Sequence, residues 1–234
     1  MTINIAEILV ANSCGAAMVL MLLIFRIQNS DSKRRDEQLY NCMLIATLAA
    51  LTAETASFLI DGKLFTGCFA LQYICNTVCT GFTALVGYLW SLFVEFKIYR
   101  SMRRLKNKAI ILGIPLFAGA CLMIANLFGN GIFFSVSSSN VYTRGTLTPI
   151  LYAVVLFYFI ESICAAHLAK HRGNSVKFFP VYYFVIPCLI GIVVQILFYG
   201  ISTGWASIAV GFVFVDLQLQ TSNSFVDDMS GLFN

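Results

Sequence analysis

Four carboxylates, Glu54, Glu95, Glu161 and Asp216, fall inside or at the edge of long apolar runs of this 234-residue chain. In hydrocarbon each costs on the order of 2.5 to 3.5 kcal/mol, so such groups turn toward a protein interior or a water-filled cavity. Glu54 belongs to a polar stripe with Thr47, Ser57 and Asp61. A second stripe, Gln72, Asn76, Thr80 and Thr83, recurs near the i, i+4 spacing of one helix face. Only Asp61-Gly62-Lys63, read as a three-residue turn, separates the two helices, which makes them antiparallel neighbours. Both stripes are therefore expected to line one polar cavity, completed by Gln195 and Tyr199, by Tyr152, and by Tyr142 with Arg144. Convergent amides, phenols and opposite charges in a concave site are the chemistry of small-molecule binding. The alternative is that these groups only hydrogen-bond helix to helix, at about 0.6 kcal/mol per contact.

Glu161 and Asp216 lie deeper and are expected to find a hydroxyl, an amide or a proton that spares them an isolated charge, as a signal relay or as a structural lock. Glu95, with Lys97 and Arg100 close by, reads as an interfacial ion pair. Glu161, Cys164, His167 and His171 share one side of a helix, but a metal needs convergent ligands from several elements, so no metal site is expected. Nothing points to catalysis. There is no phosphate-binding glycine loop, no Gly-x-Ser-x-Gly elbow and no His-Glu metal motif. No lysine occupies a helix interior, which removes the attachment point for retinal. No cofactor is expected.

The elements that position these groups follow from composition. The chain is 59% hydrophobic and 11% charged, with a mean hydropathy of +0.83, far from a water-soluble domain. About 20 apolar residues cross roughly 30 Å of hydrocarbon. Seven such segments can be drawn, at 3–25, 39–60, 65–96, 109–128, 149–169, 178–199 and 205–219, with the third long enough to tilt or project. The expected fold is an all-α bundle of seven transmembrane helices spanning residues 1–222, with residues 223–234 as a stalk. Placing the amino terminus outside puts thirteen of the fifteen Lys and Arg residues on the cytoplasmic side and only Lys63 and Arg144 outside. The carboxyl terminus is then cytoplasmic. In the long connection between helices four and five, 133–136 and 141–144 are β-prone runs around Ser137, Ser138, Ser139 and Asn140, expected to form an exterior hairpin lid.

Rival classes are weakened by the same pattern. The net charge of +4 follows topology and forms no single basic face, so no nucleic-acid partner is expected. No positive charge precedes the first apolar run, which argues against a cleaved signal peptide. Seven of the eight cysteines lie within apolar runs and Cys68 near a helix end, a pattern of reduced packing residues. A three-plus-one-plus-three sugar carrier also has seven helices, but its Pro-Gln pair is absent at Pro115, Pro149, Pro180 and Pro187.

Past Asp216 the seventh helix fades through Gln218, Gln220 and Thr221 without a Pro or Gly until Gly231, so it is expected to continue as a stalk. The last residues, Asp227-Asp228-Met229-Ser230-Gly231-Leu232-Phe233-Asn234, resemble the Asp-x-Leu-Thr-Gly-Leu-x-Asn-Arg opening of the GGDEF domain of diguanylate cyclases. Met229 stands for Leu and Ser230 for Thr; Asp227, Gly231, Leu232 and Asn234 match. The bundle in turn resembles the seven-helix amino-terminal region of bacterial membrane diguanylate cyclases and related histidine kinases, chiefly at Asp61-Gly62-Lys63 and from Phe133-Phe134 to Asn140-Val141-Tyr142-x-Arg144-Gly145. The resemblance implies a sensor in the bacterial cytoplasmic membrane that binds an exterior small molecule and works as a homodimer. It also implies an attached cytoplasmic domain that condenses two GTP into cyclic di-GMP, and no enzymatic activity in this chain. The rival readings are a small transporter or channel using Glu54, Glu161 and Asp216, and a membrane anchor that only dimerises its output domain.

Overall fold

The structure, a computed structural model, describes residues 5–29, 34–171, 181–198 and 203–230, without the side chains of 29, 130 and 222–230. Seven α-helices follow in order: α1 (Ile5–Asn29), α2 (Arg35–Ile60), α3 (Cys68–Tyr99), α4 (Met102–Ala125), α5 (Thr148–His171), α6 (Val181–Leu197) and α7 (Gly204–Ser230). Between α4 and α5 lie a π-helical turn, Asn126–Asn130, and an antiparallel hairpin of β1 (Phe134–Val136) and β2 (Tyr142–Arg144). Among the described residues five helices are long and apolar enough to cross a membrane; α6 is apolar but shorter. The exposed face of α4 is one apolar stripe turned outward, with Ile110 73% exposed, Ile114 65% and Phe117 73%, which suits contact with lipid. The chain is an α-helical protein built for a bilayer.

α1 packs between α2 and α7, α3 packs against α2, α4 and α5, and α5, α6 and α7 continue the ring back to α1. Its centre is aromatic. Trp90 stacks on Phe184 at 4.0 Å, and Tyr40 meets Phe212 edge-on at 5.4 Å while its hydroxyl donates to the Phe212 carbonyl at 2.9 Å. Phe133, Phe134 and Val136 of the hairpin segment form a second core with Ala84, Met123 and Leu151. Glycine sets one close crossing: a β-carbon on Gly191 of α6 would come within 2.6 Å of the Ser207 β-carbon on α7. In hydrocarbon, where helices gain little by hiding apolar surface from lipid, such close backbone approach supplies the packing.

Several boundaries differ from the sequence expectation. α4 begins at 102, seven residues before the apolar run, because Ser101 caps it, accepting from the Arg104 amide, and its basic residues lie along α3 and α5. α2 likewise begins at 35. α3 is displaced toward the carboxyl terminus, so its connection to α2 is residues 61–67 and not a three-residue turn, with Gly62 and Gly67 both at positive φ. α7 runs to Ser230 without interruption, past the apolar limit at 219 and through residues expected to continue the helix as a stalk. The ends of the expected sixth segment and the connection into α7 fall partly on 178–180 and 199–202, outside the described residues.

Candidate ligand cavity and its ion-paired base

Glu54, Ser57 and Phe58 of α2 and Asp61 just past its end fall at i, i+3, i+4 and i+7, and all four border a cavity of about 180 Å³. α3 contributes Gln72, Asn76, Thr80 and Thr83 to the opposite wall. Tyr152 and Leu151 of α5, Gln195 of α6, and Gly204, Trp205 and Ile208 of α7 close the circle. Phe133, Tyr142 and Arg144 bring the hairpin over it. Of the thirteen residues expected to line one cavity, eleven border it, Arg144 among them. Tyr199 lies outside the described residues, and Thr47, although fully buried, is not on the wall.

The hairpin is fastened to the α2–α3 connection by Asn140 and by Asp61. Asn140 is 1% exposed at φ +59°, and its Nδ2 donates to the carbonyls of Ile60 at 2.8 Å and Lys63 at 3.0 Å. Its own carbonyl accepts from the Gly62 amide at 2.8 Å. Asp61 Oδ1 accepts from the Tyr142 amide at 2.8 Å and from Gln72 Nε2 at 3.3 Å, tying β2 to both stripes. The hairpin's base is held by Asn126 Oδ1, which accepts from the amides of Phe133 at 2.8 Å and Phe134 at 3.3 Å. Gly145 is required there: its amide donates to Phe133 at 2.7 Å, and a β-carbon would lie 2.6 Å from the Gly131 carbonyl oxygen.

Within the cavity Asn76 Nδ2 donates to Ser57 Oγ at 3.0 Å, joining the two stripes. Thr80 and Thr83 hydrogen-bond back to the carbonyls of Asn76 and Cys79 on their own helix. Glu54 Oε2 accepts from Asn12 Nδ2 of α1 at 3.0 Å. Asn12 is 1% exposed and was not among the residues the sequence singled out; a lone amide in an otherwise apolar helix was the available signal. Tyr152 lies near enough to both Arg144 and Glu54 to feel each charge.

The other three carboxylates singled out in the sequence, Glu95, Glu161 and Asp216, sit toward the opposite end of the bundle and are paired with cations. Arg26 of α1 joins Glu37 of α2 to Asp216 of α7, the latter at 2.6 Å, and its guanidinium lies 3.9 Å over the Tyr40 ring. Glu161 pairs with Lys108 and Glu95 with Arg104. For Glu161 the expectation of a hydroxyl, amide or proton partner is corrected, since it meets an ammonium; Asp216 accepts from the Gln220 amide at 2.7 Å and meets a guanidinium besides. Glu95 takes its partner from α4, not from Lys97 or Arg100; Lys97 pairs with Asp36 at 3.0 Å. The partners of Glu161 and Glu95 share a cause, which is that the α4 basic segment is helical and carries Arg104 and Lys108 against α3 and α5. His167 and His171 touch each other at 3.1 Å, and among the described residues no three metal-capable side chains converge. Asp227, Met229 and Ser230 are the last turn of α7, their side chains undescribed, and Gly231, Leu232 and Asn234 lie outside the described residues.

No protein-family model matches the chain, and no curated protein does either.

Proposed function

We propose that the chain is a sensory domain of the bacterial cytoplasmic membrane that binds a small exterior molecule and passes the event along α7 to an attached diguanylate cyclase. In this reading all seven helices cross the bilayer, the amino terminus and the hairpin lie outside, and the protein acts as a homodimer with no chemistry of its own. The observation that carries it is one helix with two roles. Trp205 and Ile208 of α7 border the cavity, Asp216 is held by Arg26 further along, and the helix continues to Ser230. From Ile208 to Ser230 is about 33 Å at 1.5 Å per residue, enough to span the hydrocarbon. The distribution of Lys and Arg supports the orientation, and the match of 227–234 to the GGDEF opening supports the output.

A ligand acts on such a device only through different affinities for two positions of α7, and a tenfold difference corresponds to about 1.4 kcal/mol. The relay assigned to Glu161 and Asp216 is then mechanical, an exchange of ion-pair partners as helices shift. The test has two arms. Purified protein is screened for compounds that raise its melting temperature, and those compounds are then offered to proteoliposomes. Stabilisation without uptake supports sensing; uptake abolished by Glu54→Gln makes the protein a transporter. For the output, cyclic di-GMP is measured in cells producing the gene's complete product. A level equal to that of cells lacking it removes the cyclase from the reading.

A further inference from the structure

α4 carries its basic residues on two faces. Arg104 and Lys108 reach α3 and α5, where they pair with Glu95 and Glu161 beside buried Leu105 and Leu112. Arg103 and Lys106 are exposed on the other side, with Arg100 exposed in the turn before them. None of these three enters a salt bridge among the described residues, whereas Arg26, Arg34 and Lys97 at the same end of the bundle each meet a carboxylate. α4 itself has no acidic residue. The outward cations also run directly into the apolar stripe of the same helix. At 3.6 residues per turn, Arg103, Lys106, Ile110, Ile114 and Phe117 fall within about 80° of its circumference. All five are exposed, on the least buried of the five long apolar helices. From Lys106 to Phe117 the helix rises about 16 Å, half of the roughly 30 Å of hydrocarbon and so the depth of one leaflet.

We propose that this face of α4 holds one anionic glycerophospholipid of the adjoining leaflet, its phosphate at Arg103 and Lys106 and an acyl chain along Ile110, Ile114 and Phe117. The site is separate from the ligand cavity and requires only a bilayer around the chain. Depth and charge select the occupant together. The guanidinium of Arg103 offers a planar fork of donors to phosphate oxygens, and the Lys106 ammonium adds a point charge one turn along. A free phosphate would use the two cations and leave the stripe uncovered. A choline lipid would cover the stripe but bring its own cation against them. Lipid tails are as apolar as the side chains, so the stripe fixes position while the charges supply the preference. A second copy of the chain is disfavoured: two copies in one membrane share their orientation, so like cations would meet across the seam with no acid on either α4 to offset them.

The experiment is native mass spectrometry of the detergent-purified chain, titrated with phosphatidylglycerol and with phosphatidylcholine of the same acyl chains. Two basic side chains near a bilayer surface correspond to a preference of roughly 30-fold for the first phosphatidylglycerol bound. Arg103→Gln combined with Lys106→Gln should bring it to within about fivefold of phosphatidylcholine, the share left to Arg100. Arg103→Lys, which keeps the charge, should retain most of the preference. Lys170→Gln, on an exposed cation at the end of α5, should leave it unchanged. All these positions are exposed, so each variant should melt at the wild-type temperature. Equal binding of the two lipids by the wild type overturns the proposal, as does a double variant that keeps the wild-type preference or a Lys170→Gln protein that loses as much of it. Glycerol phosphate that displaces phosphatidylglycerol at matching concentration overturns it in favour of a soluble anion. If Ile114→Trp turns a dimer into monomers and leaves phosphatidylglycerol binding unchanged, the stripe is a contact between copies and the lipid site falls.

Discussion

Replacing Asn140 tests its share in clamping the hairpin to the bundle. With alanine at this position two donors disappear, those to Ile60 and Lys63, at about 1 kcal/mol each. In addition the backbone sits at φ +59°, where a β-carbon meets the following carbonyl and alanine lacks the polar side chain that lets asparagine tolerate it, adding about 1 kcal/mol. The sum, about 3 kcal/mol, is roughly a 100-fold change in the equilibrium for lifting the hairpin. Asn140→Gly loses the same two bonds without the φ penalty, so it should cost about 2 kcal/mol, roughly 30-fold. The assay is amide hydrogen exchange of the purified protein, read at Gly62 and Tyr142, whose N–H groups are bonded only while the hairpin is docked. Exchange should accelerate in the order wild type, Asn140→Gly, Asn140→Ala, with the core of α3 unchanged. Alanine and glycine exchanging alike would refute the strain argument, and wild-type rates in both would refute the clamp.

Two further substitutions probe the base of the hairpin and the fastening of α7. Gly145→Ala forces a β-carbon against the Gly131 carbonyl oxygen, which cannot rotate aside, and should cost about 1 to 3 kcal/mol, seen as faster exchange across 131–147 alone. Asp216→Asn removes one of the two carboxylates on buried Arg26 and should destabilise by about 3 kcal/mol in thermal unfolding, while Arg26→Gln, which strands both Glu37 and Asp216, should cost more, toward about 5 kcal/mol. If Arg26→Gln is the milder of the two, the network is not what holds α7 to α1.

What the sequence determined by itself is local. A helix repeats every 3.6 residues, so the spacing of Glu54, Ser57 and Asp61, and of Gln72, Asn76 and Thr80, already put each set on one face before any partner helix was known. Apolar length marked the helices, and two β-prone runs around three serines marked the hairpin. Tertiary structure decided which faces meet, because the rotation and depth of a helix are set by contacts distant in sequence. Asp216 finds Arg26 from 190 residues away, Glu161 finds Lys108 only because α4 starts seven residues early, and Asn12 reaches Glu54 from a helix whose apolar face carried almost no pattern. The close crossing at Gly191 and Ser207 and the positive φ of Asn140 fix those depths and angles, and no periodicity within a single segment encodes them.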